Sequence, residues 1–259
     1  MPVEHKFLNH NWENGFWTEN AILKNSIYKS EVLIIGTNNP NTPNANFADF
    51  FYGRNYFWPA FKNLANGNYD ILSRRMPANG APQFPLNPTL DDLFELCNQF
   101  KFSFADLNTR VFINQENLNF LPNDNVILNN IEYNLINDSE RNGIGGLAEL
   151  HELNEVEWNT NNIIQFLCES PQIKDIYLTR QPTGIWQNHW NEIKYSKCGI
   201  GRNFNVIYTP SANSLHGAPR MNSLIKHWLF NTNPNYNTLN HEWLQNCGVN
   251  VDYFYNNLF

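Results

Sequence analysis

Residues 31–36 read EVLIIG, a run of apolar residues that ends in glycine. Such a continuous run, rich in β-branched residues, is typical of a strand buried on both faces of a parallel sheet. Three later segments have the same character: Phe102–Leu107, Ile173–Thr179 and Phe204–Thr209. The sequence therefore predicts four central strands.

Helical patterns accompany these strands, over Phe57–Leu64, Leu90–Phe100, Ile163–Cys168 and Asn222–Phe230. Strands that alternate with helices indicate a sheet with helices on both faces. We therefore expect an α/β fold, a single-domain α/β/α sandwich around a central, mainly parallel four-stranded sheet. Ligands of such sheets bind beyond the carboxyl ends of the strands, so the chemistry is expected in the loops that follow them.

The whole chain, 1–259, is expected to form one domain with its core at about 31–230. Two segments read as insertions. The first, about 68–88, holds too many prolines for a helix interior. The second, about 137–161, mixes glycines with acidic residues and predicts a loop with a short helix.

Composition excludes several classes of protein. With 42% hydrophobic and 15% aromatic residues, the chain is not disordered. A net charge of −7 argues against a protein that coats nucleic acid, but local basic groups such as Lys194, Lys197 and Arg202 leave room for a single DNA-binding face. No stretch approaches the roughly 18 apolar residues of a membrane span, and the first residues carry no apolar signal core, so a cytoplasmic protein is expected.

The four cysteines stand far apart and form no CxxC pair. Structural zinc and iron–sulfur clusters require clustered thiolates, so neither is expected. The default prediction is four free thiols and no metal.

Short motifs at the ends of the predicted strands carry a resemblance. Residues 36–40 read GTNNP, residues 55–59 read NYFWP, residues 104–107 read FADL and residues 209–211 read TPS. In this order, over roughly residues 31–229, the motifs resemble those of the uracil-DNA glycosylase superfamily, and most closely its mismatch-specific and hypoxanthine-type branches.

The resemblance implies a monofunctional DNA glycosylase, a hydrolase that cuts the N-glycosidic bond of a damaged, deaminated or modified base flipped out of DNA. Neither key loop contains a lysine that could form a Schiff base, and no cofactor or metal is implied. The implied partner is single- or double-stranded DNA, and a monomer is expected. The same resemblance admits a repair enzyme or an antiviral enzyme that acts on modified phage bases.

The resemblance also implies catalytic residues. Asn39, before the loop proline, takes the place of the family's water-positioning Asp or Asn, although an Asn cannot accept the proton of that water. The loop is one residue longer than the family's G-x-x-P, which leaves Asn38 as an alternative and Asp49 as a rival base. His216 is a candidate for stabilising the departing base, or else a surface residue.

Base-binding residues follow by position. Phe57 takes the place of the aromatic that stacks on the extruded base, and core packing is its alternative. Tyr52 is expected at the pocket wall, and Asn55 either bonds within its loop or contacts the base. Asp106 and Asn108 take the place where relatives read the base edge. An accepting Asp106 favours a base with N–H donors, unless it merely caps the next turn.

The late loop differs from that of many relatives, which begin it with His or Asn. Here that position is Thr209, a hydrogen-bond donor that carries no charge. The resemblance implies that residues further along the loop bind the DNA phosphates and insert into the duplex. Pro210 and Ser211 correspond to the clamp on the DNA backbone, Asn213 or Leu215 to the wedge that fills the vacated stack, and Arg220 to a phosphate contact.

Two other functions fit the same sequence. A catalytically weak nucleic-acid-binding module on this fold is favoured by the missing carboxylate before Pro40, by Thr209 and by the acidic net charge. An α/β enzyme of another kind, acting on small nucleosides, would not need Leu215 as a wedge or Ser211 on a phosphate.

Overall fold

The computed structural model describes residues 2–41, 50–53, 55–67, 89–112, 119–120, 126–127, 136, 147–211 and 220–259. The chain divides into two compact units. The first comprises Met1–Asn44, Ser103–Lys174 and Pro182–Arg202. The second comprises Ala45–Phe102, Asp175–Gln181 and Asn203–Phe259.

The described residues form both strands and helices, as an α/β fold requires. The strands are β1 (Pro2–Glu4), β2 (Phe16–Glu19), β3 (Ile22–Asn25), β4 (Val32–Gly36), β5 (Phe102–Asp106), β6 (Asn108–Phe112), β7 (Asn119–Phe120), β8 (Val126–Ile127), β9 (Val156–Trp158), β10 (Asp175–Leu178) and β11 (Asn203–Val206). The helices are α1 (Phe57–Asn66), α2 (Leu90–Phe100), α3 (Leu147–Glu152), α4 (Thr160–Glu169), α5 (Ile185–Tyr195), α6 (Arg220–Phe230), α7 (His241–Asn246) and α8 (Val251–Leu258).

The main sheet has six strands in the order β11-β10-β4-β5-β3-β2. The four predicted strands are present as β4, β5, β10 and β11. The predicted four-stranded, mainly parallel sheet is wrong, because β2 and β3 extend the sheet and make it mixed. β10 and β11 run parallel, whereas β2 pairs antiparallel with β3, and β3 pairs antiparallel with β5.

The β2–β3 hairpin escaped the sequence analysis because its turn lacks glycine. Asn20 and Ala21 form the two-residue turn and both have positive φ, 51° and 55°. This backbone geometry matches the twist of a hairpin, but it usually selects Asn-Gly or Asp-Gly. Because alanine occupies the second position, residue types alone do not predict this turn.

A second sheet has three strands in the order β1-β6-β9, and both pairs are antiparallel. Its strand β9 lies inside the segment 137–161 that reads as an insertion. The helix expected in that segment is confirmed as α3, but the loop prediction is wrong where β9 forms. The proline-rich insertion at 68–88 lies outside the described residues.

The predicted helices are all present. The structure extends three of them by a few residues, as α1, α4 and α6, and gives α2 the predicted bounds. The start of α2 is fixed by a capping box: Thr89 Oγ1 accepts the N–H of Asp92 at 3.2 Å, and Asp92 Oδ2 accepts the N–H of Thr89 at 2.6 Å. A hydrogen bond from Lys62 lowers the pKa of the Asp92 carboxyl.

The core of the second unit is aromatic. Phe61 lies at its centre, with ring-centroid distances of 4.8 Å to Phe102 and 5.2 Å to Trp228. These three side chains are fully enclosed. Each buries a large apolar area, so this cluster contributes much of the hydrophobic stabilisation of the unit.

Cys168 and Cys198 form a disulfide across 30 residues of sequence. The prediction of four free thiols is therefore wrong for this pair, whereas Cys97 and Cys247 take part in no disulfide. Cys168 lies near the end of α4 and Cys198 follows α5, and these two helices pack against each other. Helix packing brings the sulfurs together, which residue spacing does not reveal.

In the described part of the chain, no helix combines the length and the apolar character that crossing a bilayer requires.

Candidate functional site

The first group of candidate residues lies in the first unit, where β4 and β5 end. All five residues of β4 are buried. The main-chain N–H of Leu107 donates to the carbonyl oxygen of Gly36 at 3.2 Å. This bond joins the exits of the two strands, so the Asn38–Asn39 loop and the Asp106–Asn108 segment start from neighbouring points.

The loop after β4 is fastened by the N-terminal segment. The N–H of Lys6 donates to the carbonyl of Asn39 at 2.8 Å, and His5 pairs with Pro40 in an isolated antiparallel bridge. Asn38 donates through its side chain to the carbonyl of Ile136 at 3.3 Å. That bond gives the Asn38 side chain a structural role, and the placement of a water molecule by Asn39 stays a prediction.

Asp106, at the last position of β5, is 4% exposed and is bonded to His5. His5 Nε2 lies 2.7 Å from Asp106 Oδ2, and the main-chain N–H of Phe7 donates to His5 Nδ1 at 3.0 Å. The bond to His5 replaces the turn-capping role considered for Asp106. No sequence motif marks His5; only the tertiary structure brings it to Asp106.

Asn108 begins β6 and is completely buried. Among the described residues, neither the side-chain oxygen nor the side-chain nitrogen of Asn108 has a hydrogen-bond partner. A buried polar group without a partner costs about 1–3 kcal/mol. An amide that offers one donor group and one acceptor is complementary to the edge of a nucleobase.

The ionised groups of the second sheet pair with one another. Arg110 donates to Glu4 at 2.9 Å and to Glu157 at 2.8 Å, and these bonds raise the pKa of the guanidinium. All three side chains are partly exposed. Such pairs contribute little to stability. They also mean that Arg110, the charged residue of β6, is already paired with carboxylates.

His189 belongs to an aromatic cluster in the same unit. Its ring stacks on Trp158 with centroids 3.8 Å apart, and its Nδ1 lies 2.9 Å from the hydroxyl of Thr160. Burial, followed by the charge of His151, lowers the pKa of His189 to about 4. The folded protein therefore keeps this imidazole neutral at pH values where an exposed histidine is charged.

We predict that His189 makes the protein less stable in mild acid. An unfolded histidine has a pKa near 6.5, so between pH 6.5 and 4 the unfolded chain binds a proton that the folded protein excludes. The contribution of the neutral ring to the free energy of unfolding is therefore complete above pH 6.5, and it is lost as the pH falls from 6.5 through 4. For a partly exposed ring we expect the free energy of unfolding to fall by about 1 kcal/mol.

Urea unfolding at pH 7 and pH 5 measures this loss. His189→Gln should reduce the difference between the two pH values, whereas His10→Gln, which replaces a histidine packed against Trp12, should preserve it. An equal pH dependence in wild type and His189→Gln would contradict the prediction.

The second group of candidate residues lies in the second unit. Phe57 has no exposed surface and stacks on Tyr52 with centroids 4.5 Å apart. Its placement is that of the core-packing alternative, because one face of the ring is covered by Tyr52. Tyr52 is partly exposed, and its hydroxyl lies 3.0 Å from the hydroxyl of Thr179.

Tyr52 also has a φ of 58°, in the left-handed region that few residues other than glycine adopt. Such backbone strain persists where the surroundings hold it in place, and it is common at ligand-binding positions. Of the two stacked rings, Tyr52 is therefore the better candidate for contact with a base.

The remaining described candidates fix the backbone around this pair. Asn55 Oδ1 accepts the N–H of Phe57 at 2.9 Å, which is the within-loop role considered for Asn55. The N–H of Tyr56 donates to the carbonyl of Pro210 at 3.0 Å. Thr209 Oγ1 accepts the N–H of Ser211 at 3.4 Å. Because the hydroxyl is the acceptor in this bond, its own proton is not used in it.

Several sequence candidates cannot be placed. Asp49, Asn213, Leu215 and His216 lie outside the described residues, and Arg220 begins α6 with its side chain outside them. Across the described ranges, no three histidine, cysteine or carboxylate side chains are grouped as a metal site would require.

No protein-family model, curated protein or solved structure matches this chain.

Proposed function

We propose that this protein is a monofunctional DNA glycosylase, which hydrolyses the N-glycosidic bond of a damaged, deaminated or modified base flipped out of DNA. The observation that carries the proposal is the buried, unpaired amide of Asn108. Asn108 follows the strand exit where a base edge would be read, and a ligand with the complementary edge would satisfy both the donor and the acceptor.

The surroundings of Asn108 support the same reading. Asp106 and the Asn39 loop start from the same joined strand ends in the first unit. Hydrolysis of a C1′–N bond passes through a cationic sugar and an anionic base, so it requires an oriented water molecule and hydrogen bonds to the departing base. Asn39 is suited to the first task and Asn108 to the second.

The proposal carries the remaining expectations with it. The substrate is DNA, single- or double-stranded, and the enzyme acts as a monomer in the cytoplasm. Deaminated bases make it a repair enzyme, whereas bulky modified pyrimidines make it an antiviral enzyme. A nucleic-acid-binding module on the same fold is the competing function, and activity separates the two.

A cleavage panel tests the proposal. The protein is incubated with oligonucleotides that carry uracil, hypoxanthine, xanthine, or plain or glucosylated hydroxymethylpyrimidines, in single and double strands, and hot alkali then breaks abasic sites. We expect strand breaks with one of these bases. Asn39→Ala should lower the rate about 100-fold by misplacing the water.

Asn41→Ala is the matched control, because Asn41 donates to Glu4 through its main chain, which alanine preserves. The control should cleave at the wild-type rate. Tight DNA binding without cleavage of any base would favour the binding module, and absence of both would remove DNA as the partner.

A further inference from the structure

We propose that Asp106 is the catalytic residue that accepts a proton from the attacking water, and that His5 is the positioning residue that holds Asp106 for this step. The proposal rests on the function proposed above. It adds a proton acceptor to the amide of Asn39, which orients a water molecule but cannot take its proton. Asp49, the other carboxylate considered for this role, lies outside the described residues.

The hydrogen bonds of His5 fix its tautomer. Nδ1 accepts the N–H of Phe7, so the ring proton resides on Nε2 and is donated to Asp106 Oδ2. Asp106 is the acceptor in this bond. His5 is almost fully enclosed, and each of its ring nitrogens takes part in one of these two bonds.

The second carboxylate oxygen, Oδ1, remains available. No described residue bonds to it. Oδ1 is also in contact with solvent. Among the described residues, the side-chain atoms that are both fully buried and without a hydrogen-bond partner belong to Asn63, Asn108 and His189, and Oδ1 of Asp106 is not one of them. Asp106 therefore presents one fixed oxygen to His5 and one free oxygen to a small molecule.

The main chain places His5 beside the candidate loop. His5 is bridged to Pro40, and its neighbour Lys6 is bonded to the carbonyl of Asn39. Asn159 donates through its side chain to the main-chain oxygen of Asp106 at 2.9 Å. The residue that holds the carboxylate thus belongs to the segment that holds the loop, so the two functional groups are fixed in one frame.

In the proposed step, a water oxygen bonds to C1′ of the deoxyribose while the C1′–N bond breaks. The electron pair of that bond leaves with the base, and the proton of the water passes to Asp106 Oδ1. Solvent then carries this proton to the departed base. The products are an abasic sugar and a free neutral base, and no oxidant, metal or further reactant is consumed.

The ionisable groups around Asp106 have separate assignments. His5, from the segment after β1, contacts it directly. Glu4 of β1, Arg110 of β6 and Glu157 of β9 pair with one another. In the described part of the segment after β4, Asn38 and Asn39 carry amides, and α4 is preceded by the amide of Asn159. A change at His5 is therefore expected to act on Asp106.

The first test replaces Asp106 with asparagine, which keeps the shape and an oxygen for His5 but cannot accept a proton. We expect single-turnover excision of the base found in the cleavage panel to fall by about 10²–10⁴-fold, with affinity for abasic DNA within about threefold of wild type. Asp106→Ala should regain part of its activity when formate is added as an external proton acceptor.

The second test separates positioning from mere packing. His5→Phe keeps an aromatic ring and removes the donor, so kcat should fall by about 10-fold or more while KM for DNA stays within about threefold of wild type. His5→Gln restores a donor and should return kcat toward wild type. The matched control, His10→Phe in the same segment, should leave kcat and KM unchanged.

Thermal unfolding shows whether each variant is folded. If Asp106→Asn excises within fivefold of wild type, or if His5→Phe leaves kcat within twofold of wild type, the inference fails and the glycosylase stands. If wild type excises no base of the panel, both fail together.

Discussion

Replacement of Asn108 by alanine is expected to lower base excision about 100-fold while the protein becomes no less stable. A bidentate hydrogen bond between an amide and a base edge contributes about 1–3 kcal/mol of recognition, and alanine removes it. In the free protein the same amide is buried with neither polar atom bonded to a described residue.

The effect on stability has the opposite sign to the effect on activity. Truncation removes two polar atoms without hydrogen-bond partners, whose burial costs about 1–3 kcal/mol, and this stabilises the folded protein. The small cavity that is left behind destabilises it and offsets part of that gain. The free energy of unfolding should equal that of wild type or exceed it by about 1 kcal/mol. A residue kept for packing loses stability when it is truncated, whereas a residue kept for a ligand loses function.

Asn63 is the matched control for Asn108. It lies in α1, in the second unit, and is likewise fully buried with both amide atoms unpaired among the described residues. Asn63→Ala should change stability in the same way and leave excision at the wild-type rate. Urea unfolding and single-turnover excision of both variants would decide the matter, and full activity in Asn108→Ala would remove Asn108 from the base-binding site.

Replacement of Arg202 by alanine is expected to cost about 3 kcal/mol of stability. Its guanidinium donates to four main-chain carbonyls, those of Leu167, Ser170, Ile173 and Cys198. Hydrogen bonds from a charged donor are stronger than neutral ones, and buried carbonyls left without a donor retain their desolvation cost. Burial lowers the pKa of Arg202, as expected for a group removed from water.

Lys197→Ala provides the control, since Lys197 is exposed in the turn after α5. Its replacement should alter the free energy of unfolding by less than about 0.5 kcal/mol. The sequence grouped Arg202 with Lys194 and Lys197 as a local basic face, but the bonds of Arg202 assign it to the framework. If Arg202→Ala lowers the free energy of unfolding by less than about 1 kcal/mol, Arg202 has no structural role and is an ordinary surface charge.

The sequence predicted four strands of the main sheet, the helices that accompany them, and their order. The four apolar runs became strands, and the helical patterns became helices, because burial on both faces and helical periodicity leave direct traces in residue type. The hairpin of β2 and β3 left no such trace, since its turn carries alanine where glycine is usual. The three-stranded sheet was hidden for a similar reason, because none of its strands is long or strongly apolar.

The candidate site divides in the same way. The sequence by itself determined which residues follow the buried strands, and so it brought Asn39, Asp106 and Asn108 forward as candidates. Only the tertiary structure decided that His5 holds Asp106, that Tyr52 covers Phe57, and that Cys168 meets Cys198. Local patterns record how each segment is buried, whereas these pairs are far apart in sequence and come together only when strands and helices pack.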